Sequence, residues 1–196
     1  LDSSWAPKWS NVIGYWKLDG TGAISNGAAI TATVGSSGSA VNGSGAMTYQ
    51  AAKVATGATL DGASDYIQVP DSGTEFEPAN ITVMAWVNLS AYPASAGTGA
   101  VVTKPRGTPG TNGACYRLSI YDVTGRPQIY ARSTALGTVT ATATNGISLS
   151  SWHHLAMTAD GTNLNLYVDG SLSKTIAFAA SLECLTSTGA LSFGAY

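Results

Sequence analysis

Charged side chains are scarce in this chain of 196 residues: Lys and Arg total 9, Asp and Glu total 11, and together they make up 10% of the sequence. Soluble domains usually carry about a quarter charged residues. Nine cations against eleven anions cannot provide the positive field that neutralises phosphates, so the composition excludes a nucleic-acid-binding protein. Half of all residues are Ala, Ser, Thr or Gly, and the surface must consist largely of hydroxyl, amide and small side chains.

Long apolar runs are also absent. No segment approaches the roughly 18 apolar residues that cross a bilayer, and the opening LDSSWAPKWS lacks the basic start and apolar stretch of a signal peptide. We therefore expect no membrane insertion. Because the chain starts at Leu rather than Met, we expect it to be a piece of a longer polypeptide, with residues 1–11 as an N-terminal extension or connector and residues 12–196 as one domain.

Cysteine is limited to two residues, Cys115 and Cys184, which lie far apart in the sequence. There is no CxxC spacing and no second Cys or His pair nearby, so the pattern excludes a zinc site. The two residues are a candidate disulfide, and two free thiols remain the alternative. Low charge combined with many Ser, Thr and Gly residues is typical of secreted or surface-displayed β proteins, so we expect an extracellular or cell-surface location.

The pattern of apolar residues favours strands over helices. Helical periodicity is nearly absent, and segments of strand composition recur between turn residues, which predicts an all-β sandwich or barrel. Within residues 152–178, Asp160-Gly161 and Asp169-Gly170 interrupt alternating apolar sequences and predict the tight turns of a three-stranded meander. The middle strand of this meander has one apolar face and one polar face, as in a two-layer sandwich. The apolar face carries Leu164, Leu166 and Val168, and the other carries Asn163, Asn165 and Tyr167.

Other segments extend this prediction along the chain. Residues 81–89 are apolar on nearly both faces and are expected to form a central strand. The remaining predicted strands are residues 12–18, 66–69, 100–104, 116–121, 127–133, 139–144 and 190–194. Two long loops, 19–45 and 90–114, are expected to carry a variable binding surface. Core packing is the favoured interpretation of three tryptophans in strand motifs: Trp16, Trp86 and Trp152.

Six segments of the sequence, each present once, have an order and spacing that resemble those of a known family. They are GYWKLDG (14–20), LDGASDYIQVPDS (60–72), ITVMAWVNLS (81–90), VVTKP (101–105), YRLSIY (116–121) and SSWHHLAMTADGTNLNLYVDGSL (150–172). Together they resemble a laminin-G-like domain of the concanavalin A-like lectin/glucanase superfamily. The resemblance implies a jelly-roll β-sandwich of two antiparallel sheets, in extracellular and surface proteins that bind glycans, matrix proteins or partner chains, often with calcium.

One departure from the family concerns the C-terminal end of the chain. The family normally has a further strand after the one that LSFGAY resembles, and we expect this chain to lack it. An open edge beside residues 12–18 would then invite pairing with another chain. A homo-oligomer, either a dimer or a trimer within a longer fibre, is therefore one expectation.

Catalysis is disfavoured by the distribution of acids and histidines. Glycoside hydrolysis requires two carboxylates across one bond, and the hydrolases of the superfamily place them in an ExDxE-like pattern that is absent here. Glu75 and Glu77 flank Phe76 but precede Pro78 in a predicted loop. Ser–His–Asp chemistry is also disfavoured, because the two histidines are adjacent and no GxSxG elbow occurs. His153 and His154 should point to opposite faces of a strand and cannot easily chelate one ion.

Aromatic residues in loop-like segments are the candidate ligand contacts: Trp5, Trp9, Tyr49 and Tyr92. Exposed aromatic rings stack on the apolar faces of sugars, and neutral hydroxyl and amide neighbours bind the sugar hydroxyls. The alternative is that Trp5 and Trp9 anchor the N-terminal extension. Arg106 is a candidate for binding an acidic sugar through a bidentate contact, and a solvated loop arginine is the alternative.

Calcium is the remaining candidate ligand. Hard cations take six to eight oxygens, and Asp19, Asp61, Asp65 and Asp71 lie beside glycines or in turns. The family resemblance suggests Asp19 as a ligand, with Asp61 and Asp65 as further candidates. Turn formation is the alternative role for Asp61 and Asp65.

The sequence therefore predicts a non-enzymatic recognition module, and glycans or a cell-surface polysaccharide are its expected partners. The first alternative is a structural or oligomerising tip domain of a fibre or surface protein that binds a protein partner. The second alternative is a glycoside hydrolase, which the missing acid pair disfavours.

Overall fold

The computed structural model describes residues 9–43, 47–71, 73–94, 98–106, 113–184 and 189–194. Apart from one 3-10 turn at Trp9–Asn11, the regular structure of these residues is entirely β. The strands are β1 (Ala23–Ile24), β2 (Ala29–Ile30), β3 (Gly38–Val41), β4 (Met47–Ala51), β5 (Thr56–Thr59), β6 (Tyr66–Val69), β7 (Ile81–Asn88), β8 (Thr98–Pro105), β9 (Ala114–Tyr121), β10 (Arg126–Ser133), β11 (Gly137–Thr142), β12 (Trp152–Ala159), β13 (Asn163–Val168), β14 (Ser171–Ala177) and β15 (Leu191–Gly194). The described part of the chain holds no helix with the length and hydrophobicity to cross a bilayer.

The strands form three antiparallel sheets. The large sheet has eight strands in the order β11-β10-β9-β8-β15-β6-β3-β2. The small sheet has four strands in the order β14-β13-β12-β7, and a third sheet contains β1, β4 and β5. The large and small sheets are the two layers of the jelly-roll sandwich that the sequence predicts.

The meander of β12, β13 and β14 is confirmed, with a tight turn at each Asp-Gly pair. Gly161 has a φ of 84°, and Asp169 and Gly170 have φ values of 50° and 80°, which are the left-handed conformations that such turns require. The Asp160 carboxylate accepts hydrogen bonds from the backbone N–H groups of Thr162 and Asn163 and so closes the first turn.

The core lies between the large and small sheets. Every second residue of the facing strands points into it, which is the period-two pattern of a half-buried strand. Its fully buried side chains include Tyr116, Leu118, Ile129, Leu155, Met157 and Leu164. A second, smaller cluster fills the space beside the third sheet and contains Ile24, Ile30, Ala40, Met47 and Ile67.

Trp16 joins these two clusters, which confirms the prediction that it packs in the core. Its ring lies 4.9 Å from that of Phe193, and its indole N–H donates to the carbonyl of Ser36 at 3.1 Å. The surrounding residues 12–18, however, form no strand. They make a single bridge between Tyr15 and Val34, so the predicted N-terminal strand with an open edge is wrong.

Three further predictions need correction. Residues 19–45 were expected to be one loop, but β1, β2 and β3 lie within them. β4 and β5 were not predicted, because their short, small-residue sequences have no apolar alternation. β7 lies at the end of the small sheet in the strand order and is not central. Its second apolar face therefore points outward, which leaves Trp86 and Met84 44% and 59% exposed and overturns the prediction that Trp86 packs in the core.

Candidate functional site

A row of polar side chains crosses seven strands on the outer face of the large sheet. Strand register places its members opposite one another: Ser39 with Gln68, Gln68 with Ser192, Ser192 with Thr103, Thr103 with Arg117, Arg117 with Tyr130, and Tyr130 with Thr140. The residues one position away on these strands are core residues, so the row faces away from the core. We call these seven residues the polar row: Ser39, Gln68, Ser192, Thr103, Arg117, Tyr130 and Thr140.

Hydrogen bonds between neighbouring strands fix the side chains around the row. The Gln128 amide donates to the Thr142 hydroxyl at 2.9 Å, and the Tyr130 and Thr138 hydroxyls lie 3.0 Å apart. Ser119 is fully buried and donates to the carbonyl of Gln128 at 3.1 Å. The face thus offers amide, hydroxyl and phenol groups held in place by a sheet, with the Tyr130 ring as an apolar surface among them.

Arginines surround the row, and all but one are paired with a carboxylate. Arg106 and Arg132 both contact Glu183, and Arg126 contacts Asp122. The hydrogen bond from Arg106 holds the pKa of Glu183 below its usual range, and the charges of Arg106 and Arg132 act in the same direction. Arg117 instead lies over the ring of Tyr130, with its guanidinium carbon 5.4 Å from the ring centroid.

Arg106, the candidate for an acidic sugar, is engaged within the protein. Its guanidinium is bonded to Glu183, and its backbone N–H donates to the carbonyl of Gly113 at 2.9 Å. Binding of a ligand by Arg106 stays a prediction, and it would require the arginine to share or leave its carboxylate.

Tyr49 and Tyr92, two of the predicted sugar contacts, pack against glycines. A Cβ built on Gly20 would lie 2.4 Å from the Tyr49 ring, and one built on Gly125 would lie 2.2 Å from the Tyr92 ring. The Tyr92 hydroxyl also donates to the carbonyl of Ile147 at 2.8 Å. Both rings are half-buried and hold chain segments together, so their role as sugar contacts stays a prediction.

The two N-terminal tryptophans give little information about a site. Trp5 lies outside the described residues, and Trp9 begins the 3-10 turn, with its side chain also outside the description. Both stay predicted ligand contacts, with anchoring of the N-terminal extension as the alternative.

The predicted calcium ligands have other partners. Asp61 accepts the backbone N–H groups of Ala63, Ser64 and Asp65, while Asp65 is 2% exposed and accepts those of Gly43 and Asp61. These bonds give both aspartates a turn-forming role. Asp19 is exposed. Among the described residues, no group of three or more His, Cys, Asp or Glu side chains could hold a metal ion. Calcium binding therefore stays a prediction.

The acids that a hydrolase would need are also engaged. Glu75 accepts hydrogen bonds from the backbone N–H and the hydroxyl of Ser36, and Glu77 lies 3.4 Å from the ammonium group of Lys104. Lys104 is fully buried and forms a second ion pair with Asp71 at 2.7 Å. These contacts stabilise the fold and leave no free pair of carboxylates at Glu75 and Glu77.

Ser148, His153 and Asp169 form a hydrogen-bonded chain that the sequence interpretation missed. The Ser148 hydroxyl lies 2.9 Å from His153 Nε2, and His153 Nδ1 lies 2.7 Å from Asp169 Oδ2. A hydrolytic site also needs N–H donors around the nucleophile. The N–H group of Ile147, one residue before Ser148, and that of Ser150, two residues after it, both donate to backbone carbonyls. The Ser148–His153–Asp169 hydrogen bonds join the start of β12 to the turn after β13.

The outer face of the small sheet is more apolar than that of the large sheet. Met84, Trp86 and Leu172, of which Leu172 is 56% exposed, form what we call the apolar patch. The Trp86 ring lies 5.2 Å from that of His154 in an edge-on arrangement, and the ammonium group of Lys53 lies 5.3 Å from the centre of the Trp86 ring. His153 and His154 have separate surroundings: His153 contacts Ser148 and Asp169, and His154 lies against Trp86.

Cys115 and Cys184 form a disulfide, with their Cα atoms 5.0 Å apart. It attaches the segment that carries Glu183 to the start of β9. The disulfide thereby holds Glu183 beside Arg106 and Arg132, which lie at the C-terminal ends of β8 and β10.

Comparison with known proteins supports the fold. The family model described as the concanavalin A-like lectin/glucanases superfamily matches residues 61–196. None of the curated proteins matches the sequence.

Three similar solved structures have sequence identities that show the fold alone. Domain 4 of the extracellular arabinanase AbnA from Geobacillus stearothermophilus, solved with arabinotriose, has a TM-score of 0.58 and 14% identity over 80% of this chain and 72% of that domain. The ligand binding domain of botulinum neurotoxin serotype D, solved with N-acetylneuraminic acid, has a TM-score of 0.57 and 14% identity over 91% of this chain and 43% of that one. The Trypanosoma rangeli sialidase has a TM-score of 0.60 and 16% identity over 89% of this chain and 26% of that enzyme. This chain thus spans less than half of the toxin domain and about a quarter of the sialidase.

Proposed function

Because the chain belongs to the concanavalin A-like lectin/glucanases superfamily, we propose that it is a glycan-binding recognition module that acts outside the cell or at its surface. Its site is the outer face of the large sheet, and it binds sugars without cleaving them. The disulfide between Cys115 and Cys184 supports an oxidising location.

The observation that carries this proposal is the polar row. A binding face for sugars needs hydrogen-bonding groups that are held in position, together with an aromatic ring for the apolar side of the sugar. The row provides hydroxyls, an amide and a guanidinium across seven paired strands, with the ring of Tyr130 among them. Thr103 and Ser192 at its centre are 2% and 8% exposed, so the accessible groups are those of the other five members. Rigid positioning by the sheet lowers the entropy cost of binding.

The test is a panel of immobilised glycans probed with the purified domain and with Tyr130→Ala. Thr82→Ala, an exposed position on the small sheet, is the matched control, and Trp5→Ala and Trp9→Ala test the N-terminal tryptophans. We expect a glycan that binds the wild type and the control and is lost in Tyr130→Ala. A folded wild type that binds no glycan would contradict the proposal, and loss only in a tryptophan variant would move the site to the N-terminal extension.

A second candidate function is assembly with further copies of this chain through the apolar patch. Exposed apolar side chains on a soluble protein often mark a protein contact. Met84 and Trp86 lie on the same face of β7, Leu172 lies on β14 at the other edge of the sheet, and all three are more than two-fifths exposed. Light scattering on the wild type and on Trp86→Ser tests this candidate. A dimer or trimer that dissociates in the variant supports it, and a monomeric wild type refutes it.

A further inference from the structure

Arg117 differs from the other arginines near the polar row because no carboxylate among the described residues pairs with it. Arg106 and Arg132 share Glu183, and Arg126 has Asp122. The one side-chain partner of Arg117 among these residues is the ring of Tyr130. An arginine in the middle of a sheet face without a counter-ion is energetically unfavourable, so its presence there needs a physical reason.

Partial burial makes this position unfavourable in the free protein. Burial lowers the pKa of Arg117, because it penalises the charged guanidinium more than the neutral form. Its Nε is buried and has no hydrogen-bond acceptor among the residues that the structure describes. A buried charge without a partner costs free energy, and an anion bound at the guanidinium would offset that cost.

Thr103 provides a second, independent observation at the same place. It lies directly opposite Arg117 in the register of β8 and β9 and is 2% exposed, yet its hydroxyl has no hydrogen-bond partner in the described part of the chain. Directly opposed residues bring their Cβ atoms to about 4.5–5.5 Å of each other. A buried unpaired hydroxyl therefore lies beside an unpaired guanidinium, and both are donors that an anion can satisfy.

The charge around Arg117 also favours an anion. The formal net charge of the whole protein is −2, but around the polar row the cations outnumber the anions. Glu183 is shared by two arginines, and Asp122 is occupied by Arg126. This local positive excess attracts an anionic group and gives no advantage to a neutral sugar.

We propose that Arg117, with Thr103 and Tyr130, is a subsite for the carboxylate of an acidic sugar residue within a bound glycan. The planar guanidinium donates two parallel hydrogen bonds to the carboxylate, the geometry that arginine and carboxylate share. Tyr130 provides the ring against which the sugar lies, and the Thr103 hydroxyl donates to the anion. This subsite rests on the proposed function, since it specifies which sugars the outer face of the large sheet selects.

The test compares one glycan in three forms: with its carboxylates, with those carboxylates reduced to alcohols, and with sulfate groups instead. Affinities are measured by titration calorimetry for the wild type, for Arg117→Gln and for the control Lys174→Gln, which removes an exposed cation from the small sheet. We expect the wild type and the control to bind the carboxylated form about 10–100-fold more tightly than the reduced form, as a charge-assisted bidentate contact provides.

The variant Arg117→Gln distinguishes failure of the carboxylate subsite from failure of glycan binding itself. Arg117→Gln should keep its affinity for the reduced glycan and lose the preference for the carboxylated one. Retention of the preference in Arg117→Gln, equal wild-type affinity for the two forms, or tighter binding of the sulfated form would overturn the subsite while leaving glycan binding intact. Absence of binding to all three forms by a folded wild type would overturn both proposals.

A measurement without ligand keeps the subsite testable if the variant changes the fold. Removal of an uncompensated, partly buried charge should leave the midpoint of thermal unfolding of Arg117→Gln equal to or above that of the wild type. A clearly lower midpoint would show that Arg117 has a compensating partner besides the Tyr130 ring in the free protein, and that result would overturn the proposal.

Discussion

Single residues in this domain show how a protein with few charges uses them. Lys104 is fully buried, and its ammonium group contacts the carboxylates of Asp71 and Glu77 and the carbonyl of Gly189. Nearby, burial raises the pKa of Tyr116, and the charges of Asp71 and Glu77 raise it further. The Tyr116 hydroxyl therefore stays neutral and donates to the carbonyl of Phe76. Each of these charged side chains has a partner of opposite charge. Arg117 is an exception, because it has no carboxylate partner among the described residues.

The buried ion pair gives a stability prediction for Lys104. Lys104→Met removes the cation and leaves the Asp71 carboxylate in the protein interior without its counter-ion, so the free energy of unfolding should fall by about 3–5 kcal/mol. Urea denaturation of the variant and the wild type measures the difference. The exposed variant Lys53→Met is the matched control and should change the stability little. A Lys104→Met protein as stable as the wild type would contradict the assigned role.

Asp61 gives a prediction for the pH dependence of stability. Three backbone N–H groups, led by that of Ala63, hold the pKa of Asp61 well below its usual range. A depressed pKa in the folded state contributes stability above the unfolded-state pKa of about 3.9, and this stability is lost as the pH falls through the folded-state pKa. The difference in unfolding free energy between the wild type and Asp61→Asn should therefore be constant near neutral pH and shrink below about pH 4. A difference that does not change with pH would contradict the turn-forming role.

At the scale of elements, the sequence predicts strands well where apolar alternation and turn residues agree. β6 has the predicted bounds, and the meander of β12 to β14 is formed as expected. β1, β2, β4 and β5 were not predicted, because they are short and rich in small residues and therefore show no apolar alternation. The position of β7 at the end of its sheet was hidden for a similar reason, since an apolar outer face has the same pattern in a central strand and in an exposed one.

The polar face that forms the candidate site could be predicted in part from the alternation of polar and apolar residues along the strands. In YRLSIY, Arg117 and Ser119 alternate with core residues, and in β10 Gln128, Tyr130 and Arg132 do so too. This pattern could have indicated a polar sheet face. The lack of a carboxylate partner for Arg117 could not be predicted, because ion pairing depends on contacts between distant parts of the chain. The sequence interpretation therefore favoured Arg106, which the fold places against Glu183.

The disulfide gives a prediction at the scale of elements. Replacing both Cys115 and Cys184 by Ser should lower the free energy of unfolding by about 2–5 kcal/mol, because the bond closes a long loop and restricts the unfolded chain. The sequence separation of the two residues is 69. Denaturation with and without a reducing agent measures the effect: reduction should destabilise the wild type and leave the double variant unchanged. Equal stability of the two proteins under oxidising conditions would contradict the prediction.

At the scale of the whole molecule, the two layers of the sandwich present different outer faces. The large sheet has the polar row, and the small sheet has the apolar patch. A single chain can therefore bind a polar ligand on one side and an apolar protein surface on the other. We propose glycan binding for the large sheet and assembly for the small sheet, and because these faces lie on opposite layers the two proposals are independently testable.

Calcium binding is a further prediction for the whole domain. It requires Asp61 and Asp65 to release N–H groups that they accept in the structure. A ligand that binds only the folded state raises its stability, so calcium binding predicts a higher midpoint of thermal unfolding in calcium than in chelator. Equal midpoints would exclude a stabilising calcium ion.

The most direct test of glycan binding on the outer face of the large sheet is a nuclear magnetic resonance titration. The isotope-labelled domain is titrated with the glycan that binds best in the panel, and shifts of the backbone amide signals are mapped onto the strands. Our account predicts that the largest shifts belong to β8, β9, β10 and β11, around Thr103, Arg117 and Tyr130. Shifts confined to the small sheet, or to the segment that contains Trp5 and Trp9, would contradict it.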